Sequence, residues 1–505
     1  VAGELDQRDL IAFLSGPAAY NAGTARVEHL TTHISHIFLA VDRAYKLKRA
    51  VHLPYVDFST LALRHAACQR ELKLNRRTAP ELYLRISAVT RTHDGGFALD
   101  GTGEVVDWLV VMRRFDQEFL LDRLVGKGGL APATLRALGD EIATFHSGAE
   151  AAFNGGGAAA IAALIDGLNE AFAVLPPDVF DEAGTARLLT SLRAALDAVA
   201  SLLDKRRDQG KVRHCHGDLH LNNICLIGDR PLLFDCIEFN DTLGTIDVLY
   251  DLAFLLMDLI HRGLPGDANT VFNRYLDRAS EDDGTAAMPL FLALRAAIRA
   301  HVTASNDGEP DRLSKARSYF ALAQRCLEPW PPSLVVIGGL SGTGKSTLAY
   351  RLAPNLGAGP GARVLRSDVI RKRLFGLAPE TRLDARAYQV DVTMRVYTRL
   401  MEDAAVLLAS GQTVIVDAVF ARPEERAAIR AVAASANLPF YGFWLEAPAA
   451  ILEKRVSNRR GDASDADVSI LRGQLAFDVG KIDWQRLVVS GSADDVLSMA
   501  LRAIA

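Results

Sequence analysis

The residues Gly339-Leu340-Ser341-Gly342-Thr343-Gly344-Lys345-Ser346 have the types and spacing needed to hold a chain of phosphates. Glycines let the backbone curl until its N–H groups converge on phosphate oxygens. Lys345 then reaches the β- and γ-phosphates, and the Ser346 hydroxyl ligates Mg²⁺. An apolar run, Leu-Val-Val-Ile-Gly, precedes the motif, and Ser346-Thr347-Leu348-Ala349 opens a helix after it. The N-terminus of that helix adds a dipole that favours anions. Gly339, Ser341, Gly342, Thr343, Gly344, Lys345, Ser346 and Thr347 are the expected nucleotide contacts. No guanine-reading Asn-Lys-x-Asp run occurs in the chain, which favours ATP.

Three further features belong with this loop. Ser367-Asp368-Val369-Ile370-Arg371-Lys372-Arg373 follows a strand, so Asp368 and Arg371 fall at the C-terminal edge of a sheet. Asp417 ends the apolar run Thr413-Val-Ile-Val, where an acid suits a Mg²⁺-water or substrate contact. Arg455 and Arg459 are four apart and share one face of a helix. Together these residues resemble the small-molecule P-loop kinases, such as gluconate kinases, and related phosphotransferases such as polynucleotide kinases and zeta toxins. The resemblance implies that Asp368 accepts the proton of an acceptor hydroxyl and that Arg371 contacts a substrate anion. It also implies that Arg455 and Arg459 sit on a lid over the transferring phosphoryl group, with Gly461 to Asp465 as the lid's far loop. The plainer alternatives are a helix cap for Asp368, a solvated strand end for Asp417 and a solvated basic face for the arginines.

Upstream, His214-Cys215-His216-Gly217-Asp218-Leu219-His220-Leu221-Asn222-Asn223 places Asp218 and Asn223 five apart. A short apolar run then ends in Asp235, followed by Cys236-Ile237-Glu238-Phe239. This set resembles the aminoglycoside phosphotransferase family, which has a protein-kinase-like fold. The resemblance implies that Asp218 is the base, that Asn223 and Asp235 hold Mg²⁺, and that Asp247 and Asp251 support the catalytic loop. It asks as well for a phosphate-pairing lysine on a strand. Lys46 and Lys48 face the same side of one strand. Lys48 is preferred because it is nearer the strand's end, although spacing does not separate the two. Glu71 is the expected acidic partner, and Val110 to Phe115, with Met112, is the expected adenine-reading hinge. Thr31 to His36 takes the place of the glycine-rich loop but contains no glycine, so the hydroxyls of Thr32 and Ser35 stand in as donors. The histidines and cysteines here lack the paired spacings of a zinc site.

These side chains need elements to position them. Strand-like runs at Ile37–Val41, Ala44–Lys48, Leu82–Val89 and Val105–Met112 surround a helical stretch from Ser59 to about Arg77. From about Leu130 the pattern turns helical, with strands around Ile224–Ile227 and Pro231–Phe234. After Glu328-Pro-Trp-Pro-Pro332, strands at Leu334–Ile337, Arg363–Arg366, Thr413–Val416 and Pro439–Leu445 alternate with helices, the pattern of a parallel sheet. The expected fold class is α/β and α+β multidomain: an N-terminal bilobal protein-kinase-like fold and a C-terminal P-loop α/β domain. The expected divisions are a small lobe at 1–115, a helical large lobe at 116–328, a linker at 329–332 and the P-loop domain at 333–505. This order resembles a class of bacterial two-domain proteins that join an aminoglycoside-phosphotransferase-like domain to a small P-loop kinase.

The chain's 57 basic and 61 acidic residues give a net charge of −4, which argues against bulk attraction to nucleic acid or anionic lipid. Five cysteines without a Cys-x-x-Cys pair fit a reducing compartment, and no secretory leader or membrane span is read, so a cytoplasmic location is expected. The expected activity is a tandem ATP- and Mg²⁺-dependent transfer of the γ-phosphate to hydroxyls of small molecules. One alternative makes one domain a nucleotide sensor that regulates the other. Another makes the P-loop domain a nucleic-acid end kinase in which Arg371, Lys372 and Arg373 hold a phosphate. The acceptors and the oligomeric state are left open.

Overall fold

A computed structural model describes residues 7–20, 23, 26–53, 56–176, 178–306, 311–458, 462–489 and 492–504. Its contacts gather into two units, Val1–Gly157 with Arg206–Leu255 and Ala158–Lys205 with Leu256–Ala505. Composition places a break at the proline-rich run 329–332, whereas the contacts divide the chain within the helical stretch before it.

The first unit is built on a six-stranded antiparallel sheet. Its order is Glu28–Thr31, Ser35–Ala40, Arg43–Lys48, Val105–Arg113, Tyr83–Arg91, Phe97–Leu99. Alternation sets the two faces. Leu39, Ala44, Val110 and Met112 pack on one side with Cys225 and Leu232 of the hairpin Ile224–Ile227/Arg230–Leu233. Phe38, Leu47 and Leu109 pack on the other side with Leu10 and Leu14 of a short helix. Lys46 and Lys48 share the first face with Ala44. The helix Leu61–Asn75 begins at Thr60, whose side chain accepts from Leu63 N, and it places Glu71 and Asn75 one turn apart.

In the second unit a five-stranded parallel sheet runs in the order Arg363–Arg366, Val414–Asp417, Leu334–Gly338, Phe440–Glu446, Gln485–Val488. The strands are apolar almost throughout because both faces are covered. Val336, Leu365 and Val416 pack on one face with the helix Val390–Ala409, and Val335, Val364 and Ile415 on the other with Leu348 and Leu352. All five C-terminal ends share one edge, where open α/β sheets bind ligands.

The outer strand Arg363–Arg366 does not present a bare ladder. The helix Pro265–Ala279 lies along it, and the Asn273 side-chain amide pairs with it like a strand. Asn273 Oδ1 accepts from Val364 N at 2.8 Å, and its Nδ2 donates to Ala362 O at 3.2 Å. Asn269 Nδ2 donates to Pro360 O and Ala362 O, each at 3.1 Å. Arg363, fully buried, pairs with Asp277 at 2.8 Å and Asp282 at 2.7 Å. Burial pushes the Asp277 carboxyl up, and the Arg363 guanidinium opposes that shift without cancelling it.

Candidate active sites

The phosphate-loop motif leaves the central strand Leu334–Gly338 and runs into the helix Lys345–Leu352. Gly339 has a φ of +137°, and a Cβ there would lie 2.6 Å from Leu445 O. Glycine is required at that position by conformation and by space alike. Lys345 Nζ donates to Leu340 O at 3.1 Å, back across the loop. Ser346 Oγ donates to Asp417 Oδ2 at 2.6 Å, so the hydroxyl and carboxylate expected to share Mg²⁺ are adjacent. Hard oxygen donors, few in number, fit Mg²⁺, which keeps several of its waters.

Asp368 lies half-buried in the same cleft, whose volume is about 1310 Å³. Burial pushes its carboxyl up and the Asp417 charge adds to this, while Arg366 and Lys345 oppose it. Arg371 also lines the cleft. Its Nη1 donates to Ala387 O at 2.6 Å and to Thr393 Oγ1 at 3.3 Å, and its guanidinium sits 4.8 Å from the centre of the Tyr388 ring. Arg455 is exposed and reaches over the loop, with Nη1 3.4 Å from Gly342 O. Arg459 and Gly461 lie outside the described residues.

The expectation that Arg371, Lys372 and Arg373 hold one phosphate together is corrected by their directions. Lys372 Nζ donates to Thr381 O at 2.6 Å and pairs with Asp465. Arg373 Nη2 donates to Ser280 Oγ at 2.8 Å. On a helix, consecutive residues point about 100° apart, and only Arg371 turns into the cleft.

Two residues that carry no sequence signature complete the site. Arg366 places Nε 3.3 Å from Asp417 and Nη2 3.0 Å from Asp462, tying the expected metal-side acid to the far loop of the lid. Gln474 Oε1 accepts from Ser341 N at 2.8 Å, so a lid-side helix contacts the phosphate loop directly. Asp465, in the same far loop, accepts from Tyr388 Oη at 2.6 Å and Leu383 N at 3.0 Å, as well as from Lys372.

The first unit assembles its site from charged side chains. Lys46 Nζ lies 2.9 Å from Glu71 and 2.6 Å from Asp235. Lys48, with no exposed surface, pairs with Glu71 at 2.5 Å and with Glu238. The preference for Lys48 is therefore reversed: Lys46 has its amine on Asp235, while Lys48 is enclosed behind it. Burial works against charge on both lysines, yet the surrounding carboxylates raise both pKa values. Glu238 was not singled out in the sequence, although it belongs to the Asp235–Phe239 motif. Asp235 takes a left-handed backbone, φ +63°, and its N–H donates to Tyr83 Oη at 3.1 Å. Asn75 Oδ1 accepts from Cys236 N at 2.8 Å, so the helix bearing Glu71 also grips the turn bearing Asp235.

Asn223 Nδ2 donates to Asp218 Oδ2 at 2.9 Å, which leaves its carbonyl oxygen for a cation. His220 Nε2 lies 3.3 Å from the same Asp218 oxygen while its Nδ1 accepts from Asn222 N at 3.3 Å. With Nδ1 taken up by Asn222 N, the ring turns Nε2 toward Asp218. Asp251 accepts from His216 N at 3.0 Å and Gly217 N at 2.9 Å, and Asp247 holds Arg206 at 2.8 Å. Asp251 braces the loop as expected, whereas Asp247 anchors Arg206 of the helix Glu182–Asp208. Burial pushes His216 down, but the Cys236 thiol and the Asp251 and Asp218 carboxylates outweigh it and hold the ring at about 9. The hydroxyls proposed to replace a glycine-rich loop do not do so. Thr32 Oγ1 accepts from Ser35 N at 3.0 Å inside the turn, and Ser35 is fully buried. Met112 lies on the central strand Val105–Arg113, opposite Ala44.

Residues 334–477 match the AAA domain family model, and residues 56–291 match the Phosphotransferase enzyme family model. Over 463 residues the chain is 30% identical to an uncharacterized protein of Mycobacterium tuberculosis, covering 90% of each. Solved structures similar to parts of it include a choline/ethanolamine kinase family protein from Mesorhizobium loti, 16% identical over 64% of this chain and 95% of that one, TM-score 0.39. A gluconokinase from Sinorhizobium meliloti is 22% identical over 35% of this chain and 93% of its own, TM-score 0.26. The chain is a two-domain protein that joins an aminoglycoside-phosphotransferase-like domain of protein-kinase-like fold to a small P-loop kinase domain, and both domains are of phosphotransferase type. It belongs to the same family as the mycobacterial protein. No helix among the described residues is long and apolar enough to cross a membrane.

Proposed function

We propose that the protein is a tandem ATP-dependent phosphotransferase with two separate sites, each moving the γ-phosphate to a hydroxyl of a small molecule. The carrying observation is the meeting of three parts in one cleft: a glycine-built phosphate cradle, the Ser346–Asp417 pair and Asp368. At the P-loop site the loop amides and Lys345 hold the β- and γ-phosphates. The acceptor oxygen attacks the γ-phosphorus, the bond to the bridging oxygen breaks, and ADP leaves. The hydroxyl proton passes to Asp368. Arg455 closes over the charge that develops on the transferring group. Ser346, with Asp417 behind it, would hold a Mg²⁺ ion, which when bound would offset charge on the phosphates. In the first unit Asp218 is the base, oriented by Asn223 and His220. Lys46 takes the phosphates, and Asn223 and Asp235 are the metal ligands.

Transfer of label from γ-labelled ATP, in the full chain, to a panel of hydroxylated metabolites tests this reading. Lys345→Ala should silence one group of acceptors and Asp218→Asn another. Turnover of every acceptor left intact by both changes would sink the proposal. A second reading, in which the first unit binds nucleotide without transferring it, draws support from the Thr32–Ser35 turn, where the Thr32 hydroxyl is used internally and Ser35 is fully buried. It predicts ATP binding to the Lys345→Ala protein with no acceptor-dependent release of ADP.

A further inference from the structure

The helix Val390–Ala409 carries two apolar stripes, one in the core and one along the cleft; of the second, Tyr397 and Met401 also pack against the core, whereas folding does not account for Val390 and Met394. Val396, Leu400, Ala404 and Leu407 are buried in the sheet's core. Val390, Met394, Tyr397 and Met401, spaced by four, three and four residues, line the cleft that holds the phosphate loop and Asp368. Val390 and Met394 are each 63% exposed. Ile470 and Phe477 extend the apolar lining, and Phe477 is 51% exposed. Apolar side chains lining a cleft beside convergent polar groups are the usual build of a small-molecule site. They offer few hydrogen bonds to a polyhydroxylated acceptor, whose hydroxyls would lose water without replacement.

Arg371 supplies the complementary clue. It is 6% exposed, and its Nε has no hydrogen-bond partner. The other buried cations near it have carboxylates: Lys372 has Asp465, Arg363 has Asp277 and Asp282, and Arg366 has Asp417 and Asp462. Among the described residues Arg371 has only a carbonyl, a hydroxyl and a ring face. A buried guanidinium without a counter-charge calls for an anion. Glu424, Glu425 and Asp478 line the same cleft, so they would repel an acceptor bearing several negative charges.

We infer that the acceptor of the P-loop site is a hydroxylated molecule with an aromatic or aliphatic body and one anionic group, the body lying along Met394 and Met401 and the anion on Arg371. This rests on the phosphotransferase reading of the cleft. The full chain is titrated calorimetrically, with a non-hydrolysable ATP analogue bound, with three probes. 4-(Hydroxymethyl)benzoate has body and charge, 4-methylbenzyl alcohol lacks the charge, and gluconate lacks the apolar body. The benzoate should bind at least roughly tenfold tighter than either comparison probe. Met394→Gln, a change at an exposed position, should weaken it roughly tenfold and leave the ATP analogue's affinity unchanged. Arg371→Gln should erase the preference for the acid over the alcohol. Gluconate binding as tightly as the benzoate, no benzoate binding at concentrations on the order of 1 mM, or no effect of Met394→Gln overturns the inference. Failure of the phosphotransferase reading looks different: the ATP analogue does not bind, and Lys345→Ala changes nothing, whatever the three probes do.

Discussion

In the first unit Lys46 and Lys48 are buried among Glu71, Glu238 and Asp235, whereas in the second Lys345 leans on a carbonyl of its own loop and the glycines shape the surrounding backbone. One site gathers side-chain charges, two lysine ammonium groups among three carboxyl groups. The other uses main-chain geometry. In the first, Thr31 to His36 holds no glycine, and an anion drawn to Lys46 would have to displace Asp235. In the second, a Cβ at Gly339 would meet Leu445 O. The two units thus differ in what a mutation can damage: a set of paired charges in one, a backbone path in the other.

The sharpest separation of the two should come from activity. Lys345→Ala is expected to lower turnover at the P-loop site by about 10³-fold, as loss of a transition-state charge donor does, with no effect on acceptors of the first site. Asp218→Asn should lower turnover at the first site by about 10²-fold, the general-base contribution, and spare the second. Steady-state ADP release with acceptors of each class checks both. Stability comes next. Glu71→Ala removes the carboxylate that both buried lysines share, leaving Lys46 with Asp235 alone and Lys48 with Glu238 alone, and should cost about 3 kcal/mol in urea unfolding. Gly339→Ala imposes a strained backbone and a contact with Leu445 O and should cost about 2 kcal/mol. If the glycine change proved the costlier, the contrast between the sites would be wrong.

The smallest effect concerns pH. Burial pushes the Asp465 carboxyl up, but hydrogen bonds from Lys372, Tyr388 and Leu383 outweigh it, so the folded value lies below the ordinary 3.8. Its contribution is complete above that value and is lost as pH falls through the folded one. Hydrogen-exchange protection, measured against the intrinsic rate at each pH, should therefore fall in residues 462–467 in acid, and Asp465→Asn should show the same loss of protection at neutral pH.

The parts of both sites legible in the sequence are those whose chemistry lies in contiguous residues. Gly339–Ser346 and Asp218–Asn223 are such runs, and the strands at Arg363–Arg366 and Ile224–Ile227 fall where their patterns place them. What spacing does not encode is which of two like residues faces inward. Lys46 and Lys48 share a strand face, and only their partners, Asp235 and Glu238, far along the chain, tell them apart. Arg366 and Gln474 escape notice for the same reason, since their partners are distant and neither belongs to a motif. The short strands Glu28–Thr31 and Phe97–Leu99 are too brief, and the first too exposed, to show alternation. The division of the chain into units follows contacts such as Asn273 with Val364, which leave no mark in composition.

The pairing of Asn273 with the outer strand bears on how this protein can be taken apart. A fragment begun at the proline-rich run would keep the whole Gly339–Ser346 loop yet strip the Asn273 amide from Ala362 O and Val364 N. A naked parallel edge is a template for another chain. Such a fragment would precipitate or pair with itself, and its poor solubility would be mistaken for a defect in the kinase. A fragment begun ahead of Pro265 would carry its own edge guard and remain dispersed.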